Sequence, residues 1–330
     1  TAQGERLYEE LHRRLAGGDG SQAWRLDIQE LNLRDANQRQ LPVALMAKTE
    51  MGPSGPVVDV RFRVMGDTSK NASEIKLFRN RDTSPATTTF VLETGDKPLP
   101  CSLLGHFASA WNSLGTEATF AGTFWTIDAR DGRRGQLSGK LNNVDLSQLV
   151  TQNFRHTLTG KAQLEIEQAV MHQGRLQVAE ANIYAGPGSV SHSLLQAARS
   201  ELQMPLFEPG FSGPDGLAAY HRLAAHVTLD WQGLRIEEYR SKDGQGQRNV
   251  DSQLGQRAGV VMTGGNNTIL VVPQNLLPST GLLRTLAAED DDRALLQGPI
   301  NTLAKWLPQP VILPPREARQ IANPSGGIQR

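Results

Sequence analysis

Alternation is the feature that most constrains this chain. Short runs repeatedly place apolar residues at every second position: Trp24, Leu26 and Ile28 in WRLDIQ, Val58 to Val64 in VDVRFRV, Leu164 and Ile166 in LTGKAQLEIE, Leu176 and Val178 in GRLQV. Successive side chains of a strand point to opposite faces, so each run has one oily face and one polar face. Burying each Leu, Ile or Val is worth about 1.5–3 kcal/mol, and a long exposed row invites aggregation. Such a face needs a cover: a second sheet, amphipathic helices or a foreign apolar ligand such as acyl chains.

SEIKLFR, TTTFVLE, ATFAGTFWTID and QLSGKL extend the set of strands, being rich in β-branched and aromatic residues. MHQG turns the chain between the Leu164 and Leu176 runs, and Ile183 falls on a third strand that ends at AGPGS. HVTLDWQGLRIEEYRS and AGVVMTGGNNTILVVP read as hairpins around Gln232-Gly233 and GGNN. Helical spacing appears in Gly4 to Gly17, Lys97 to Gly115, Ser189 to Met204, around Tyr220, and in two C-terminal stretches, Leu276 to Leu286 and Leu295 to Leu307. VDLSQLV, Val144 to Val150, reads as a short helical turn opened by Asp145. The expected fold is mainly β (α+β), a curved antiparallel sheet with peripheral amphipathic helices. Its expected divisions are residues 1–97, 98–273 and 274–330.

Chemical machinery is not legible. Basic and acidic residues balance at 34 each, which leaves no overall footprint for nucleic acid. One cysteine, Cys101, excludes an internal disulfide and a CxxC pair, and its LPCSLL setting predicts a small buried hydrophobe. The seven histidines show no HExxH, HxH or His–Cys spacing. His221 and His226, five apart, lack an accompanying carboxylate motif. EDDDR (Glu289 to Arg293) lacks the ligand spacing and glycine of a calcium loop. GPGSVS precedes a helix but has neither the GK[ST] ending nor the GxGxxG spacing of a phosphate loop. No GxSxG elbow occurs. The expectation is a protein that is not an enzyme, with no catalytic, cofactor-binding or metal-ligating residue. No run of 18 apolar residues occurs, and the chain starts at Thr1, so a membrane anchor is expected outside it.

The order of motifs resembles the AsmA-like family of bacterial envelope proteins, whose architecture TamB-type proteins share. Val144-Asp145-Leu146 stands at the family's turn, Leu158-Thr159-Gly160 opens its next strand, Gly174-Arg175-Leu176 the one after, and Gly188 to Leu195 its later helix entry. ATFAGTFW, GQLSGKL and HVTLDWQGLRIEEYRSKDGQGQ are similar to the family's earlier and later strands, so the resemblance covers about Pro98 to Pro273. It implies an elongated β-sheet groove in the cell envelope or periplasm, lined by apolar side chains and associated with phospholipid movement or outer-membrane homeostasis.

Alternation and resemblance together nominate an apolar groove formed by Leu164, Ile166, Leu176, Val178, Leu229 and Trp231. Its expected partners are phospholipid or another acyl-chain lipid, together with other envelope proteins and no nucleic acid. Two alternatives stay open. One is an envelope scaffold with no ligand, in which these residues are packed core. The other is a carbohydrate-binding β protein, disfavoured because the 18 aromatic residues fall mostly on inward faces.

Overall fold

The structure, a computed structural model, describes residues 24–34, 40–66, 70–105, 109–129, 132–207, 216–239, 259–265 and 267–286. The expected helices at Gly4 to Gly17 and Leu295 to Leu307, and the EDDDR segment, lie outside them.

The alternating runs become strands of one antiparallel sheet. The first five are β1 (Arg25–Arg34), β2 (Gln40–Gly52), β3 (Gly55–Val64), β4 (Ser73–Asn80) and β5 (Thr87–Glu93). After the two-residue β6 (Leu99–Pro100) come the longest, β7 (Thr119–Ala129), β8 (Gly132–Asp145), β9 (Lys161–His172) and β10 (Arg175–Ala185). β11 (Gly188–Ser191) and β12 (Leu217–Tyr220) pair with each other as a separate two-stranded sheet. β13 (Arg222–Leu229), β14 (Leu234–Glu237), β15 (Val260–Gly264) and β16 (Asn267–Val271) complete the set. The large sheet has 14 strands in the order β1-β2-β3-β4-β5-β7-β8-β9-β10-β13-β15-β16, with β6 on β7 and β14 on β13. Among the described residues the protein is thus mainly β, with few helices and no closed barrel. Among the described residues no second sheet of comparable size faces the first.

Near-sequential strand order follows from short antiparallel connections. The break comes after β10, where the chain leaves the sheet to build β11, a helix and β12, and then returns with β13 beside β10. That excursion covers one end of the sheet. Helices α1 (Cys101–Leu104), α2 (His192–Glu201) and α3 (Thr280–Leu286) gather there with a tight 3₁₀ turn at Ser109–Leu114. The most buried side chains concentrate beneath them: Phe120, Val144, Val190, Leu195, Tyr220 and Leu277. Trp111 of the 3₁₀ turn lies on Phe120, ring centroids 5.3 Å apart.

Several local expectations differ from the structure. The helix read over Ser189 to Met204 narrows to α2, with Ser189 to Ser191 in β11, and that over Leu276 to Leu286 narrows to α3. Lys97 to Gly115 is not one helix, because α1 stops at Gly105. The Asn112 side chain occupies the space beside Gly105 where a Cβ would sit, and only glycine permits that approach. Ile183 does not begin a third strand; it continues β10, which runs unbroken from Arg175. Around Tyr220 the chain is extended, since β12 pairs with β11 from Gly188↔Tyr220 to Ser191↔Leu217. Locally the Ala- and Leu-rich LAAYHRLAAH favours a helix, but pairing satisfies its backbone and buries Ala218 and Tyr220.

Cys101 is fully buried, and burial pushes its thiol up to about 12. The thiolate is the reactive form. The folded protein is therefore expected to resist a disulfide-exchange reagent at pH 8 and to react with one equivalent in denaturant. Rapid labelling without denaturant would contradict this placement of α1.

Candidate functional site: an apolar face on a single sheet

Residues opposite each other in the register share a face, so the pairings draw rows across the sheet. One row reads Leu26, Ala47, Val60, Ile75, Leu92, Phe124, Leu137, Ala169, Ala179 and Leu229, crossing from β1 to β13. A neighbouring row reads Val58, Leu77, Phe90, Thr126, Gly135, Met171 and Leu176. Toward the helical end, Gly139, Ile166, Ala181 and Val227 form a third row. Phe120, Leu141, Leu164, Ile183 and Ala225 form the fourth. Phe90 and Phe124 bridge two rows at 6.2 Å between ring centroids. The main apolar cluster takes in Phe62, Leu92, Phe120, Leu141 and Leu229, with Phe124, Leu137, Leu164 and Ile166 packed on it. Val58 and Leu77 form a smaller second cluster with Val60 and Phe90.

The opposite face is chemically different over β2 to β4. There Arg61 pairs with Glu74 at 2.9 Å and with Asp59 at 3.3 Å, and Lys48 reaches Asp59 at 3.6 Å. The sheet is amphipathic in the manner the alternation predicts.

The six nominated groove residues separate into four situations. Leu164, Ile166 and Leu176 lie on the apolar face and are half-buried. Leu229 shares that face but is fully packed in the core. Val178 does not: Leu176 pairs with Met171 while Val178 pairs with Val170, a register shift at Gln177. A β-bulge adds one residue and reverses the facing of the residues beyond it, so Val178 joins Val91, Trp125 and Val170 on the other side. Trp231 lies beyond the end of β13 in the hairpin turn, 59% exposed and outside the apolar cluster. Asp230 shapes that turn by accepting from the Gln232 and Gly233 amides.

Sequence reasoning missed most of the face. Val60, Ile75, Phe124 and Leu137 belong to it as fully as Ile166, and their alternation was visible. What was missing was the pairing that joins separate runs into continuous rows.

Three of the motifs that carry the resemblance, those at Val144, Leu158 and Gly188, meet at the helical end, while Gly174 to Leu176 lies at the other end of β9 and β10. Asp145 accepts from the Ser147 amide at 2.9 Å, entering a single wide helical turn at Ser147–Thr151, and from Lys161 Nζ at 3.0 Å. Burial pushes the Asp145 carboxyl up, but Lys161 and the backbone amides outweigh it and hold it below its usual range. Leu158 bridges to Val190. Ser191 caps α2 by accepting from Leu194 N at 3.3 Å and also accepts from Thr157 N at 3.1 Å. Tyr220 donates its hydroxyl to the Thr159 carbonyl at 2.5 Å. A Cβ on Gly160 or Gly188 would lie 2.6 or 2.7 Å from that hydroxyl, so both glycines make room for it.

Tyr220→Phe is expected to cost about 1–2 kcal/mol, because it leaves a carbonyl unpaired in a buried joint. Burial pushes the phenol from 10.0 to about 12. Between those values the unfolded chain releases a proton that the folded chain keeps, so stability falls as pH rises through that window. Urea unfolding across it should show a flatter alkaline decline for the variant than for the parent.

A cavity of about 660 Å³ lies toward the β1 to β5 side and is lined by both charges and apolar groups, among them Arg63, Lys70, Asp96, Leu45 and Phe62. Among the described residues no helix is long and apolar enough to cross a membrane. No protein-family model, curated protein or solved structure matches the chain.

Proposed function

We propose that this chain is a non-enzymatic component of the bacterial cell envelope whose apolar sheet face holds the acyl chains of a lipid. The observation that carries the reading is the register of the rows: apolar residues recur from β1 to β13 on one face of one sheet. Leu45, Val60, Ile75, Phe124, Leu137, Ile166 and Leu176 on that face are only half-buried. The closest backbone approaches of the described helices are to one another and to β6 and β11. A flexible hydrocarbon chain suits such a face because it fills grooves between rows and brings no polar group that needs a partner. The envelope setting rests on the resemblance carried by the Val144, Leu158, Gly174 and Gly188 motifs.

The scaffold reading draws on a different observation: Val58, Leu77, Leu92 and Leu229, on the same face, are already buried by the protein itself. Native mass spectrometry after incubation with phospholipid vesicles separates the two. The lipid reading expects protein carrying one or more intact phospholipids, and transfer of a fluorescent phospholipid between vesicles. Protein that emerges without lipid and transfers none is the scaffold.

A further inference from the structure

We infer that Glu167, Glu180 and His226 form a binding site for a divalent transition-metal ion of the zinc class, on the face of the sheet opposite the apolar rows. The inference is independent of the lipid reading. Ligand atoms of the three residues lie within 4.8 Å of one another. They come from three adjacent strands: Glu167 from β9, Glu180 from β10 and His226 from β13. His226 is 1% exposed, as is Asn182, its register partner.

Hydrogen bonding fixes which ring nitrogen is offered. Asn182 Nδ2 donates to Glu167 Oε1 at 3.2 Å; an ionised carboxylate only accepts, so the amide nitrogen must face Glu167. Asn182 Oδ1 therefore faces His226, 3.1 Å from Nδ1, and Nδ1 must carry a proton. In the neutral ring this leaves the Nε2 lone pair directed at Glu180 Oε1, 3.4 Å away, with Thr228 Oγ1 at 3.5 Å. Glu180 is only half-buried, and a neutral Nε2 can accept from Thr228; a cation shared by Nε2 and the Glu180 carboxylate would bind both more strongly than those contacts do. Metal-ligating histidines are held in this way, with the remote ring N–H donating to an oxygen that sets the tautomer.

The His226–Glu180 spacing fits zinc, and Glu167 lies within 4.8 Å of both. Ligand atoms at about 2.0–2.2 Å and tetrahedral angles stand roughly 3.3–3.6 Å apart, and Nε2 to Oε1 is 3.4 Å. Glu180 is steadied through its second oxygen by Gln168 Nε2 at 3.5 Å. Glu167 is the extra residue of a β-bulge, since Gln168 pairs with Glu180 while Ile166 pairs with Ala181. Bulges re-aim a side chain, and this one turns Glu167 toward Asn182 and the histidine. One nitrogen with two carboxylates suits zinc or its first-row neighbours better than calcium or magnesium, which prefer all-oxygen sets. The ion would staple β9, β10 and β13 across the bulge and leave one coordination position for water.

The test strips the protein with a chelator, then titrates Zn²⁺ by calorimetry and Co²⁺ by visible absorption. Expected are one saturable equivalent, the ligand-field bands of a four- or five-coordinate cobalt site, and a higher thermal midpoint with metal. Glu180→Gln and Glu167→Gln, near-isosteric changes that keep a hydrogen-bonding group, should each weaken binding at least tenfold while folding normally in chelator. His226→Gln should abolish it. Absence of saturable binding, or binding that both glutamine variants leave intact, overturns the site. A buried imidazolium–carboxylate pair would then be what holds these strands, and added metal would not move the His226 ring resonances.

Discussion

Phe120→Ala is expected to lower the stability of the protein by about 3–5 kcal/mol, the range for truncating a fully buried aromatic residue. Phe120 is 0% exposed. It packs against Trp111 at 5.3 Å between centroids, and its ring lies over Gly122, where a Cβ would meet it at 3.0 Å. Gly122 pairs with Gly139, so the two positions of that row nearest the ring carry no side chain to fill the hole. Partial collapse is what usually reduces the cost of such truncations, and here the two glycines deny it. Urea unfolding followed by tryptophan fluorescence reads the loss, with Phe120→Leu falling between parent and alanine variant. A loss under about 1 kcal/mol would mean that the helical end is not the stability centre of the fold.

The second large effect concerns lipid. Leu137→Asp should reduce phospholipid uptake at least tenfold, whereas Val178→Asp should leave it nearly unchanged. Desolvating an unpaired carboxylate costs several kcal/mol, and about 1.4 kcal/mol is a factor of ten. Leu137 sits mid-row on the apolar face between Phe124 and Ala169, and Val178 is half-buried on the other face beside Val170. Leu176→Asp, at the start of its strand on the apolar side, keeps the comparison readable if Leu137→Asp fails to fold. Equal losses in Leu176→Asp and Val178→Asp, both folded, would show that the rows are not where lipid sits. Retained uptake in every variant would say the same.

The contrast between Leu176 and Val178 shows how far the sequence could be read. Alternation in GRLQV puts the two on one face, and nothing in those residues announces the bulge at Gln177 that separates them. Tyr220 shows a second limit. Its Ala- and Leu-rich surroundings favour a helix locally, yet the strand that forms gains a partner in Gly188–Ser191 and a buried hydroxyl contact with Thr159. The hairpins at Asp230–Gly233 and at Gly264–Asn267 were legible because turn residues announce themselves within a few positions. The candidate metal cluster was not legible, because Glu167, Glu180 and His226 have no common spacing and meet only through the pairing of β10 with both β9 and β13.

By itself the amino-acid sequence determined that the chain is built from amphipathic ribbons, because side-chain facing in a strand repeats every two residues and that period is written locally. Tertiary structure alone decided which ribbons lie side by side, which residues a bulge turns over, and which charges are brought within reach of His226. Those outcomes depend on partners far away along the chain, and a local period carries no information about them.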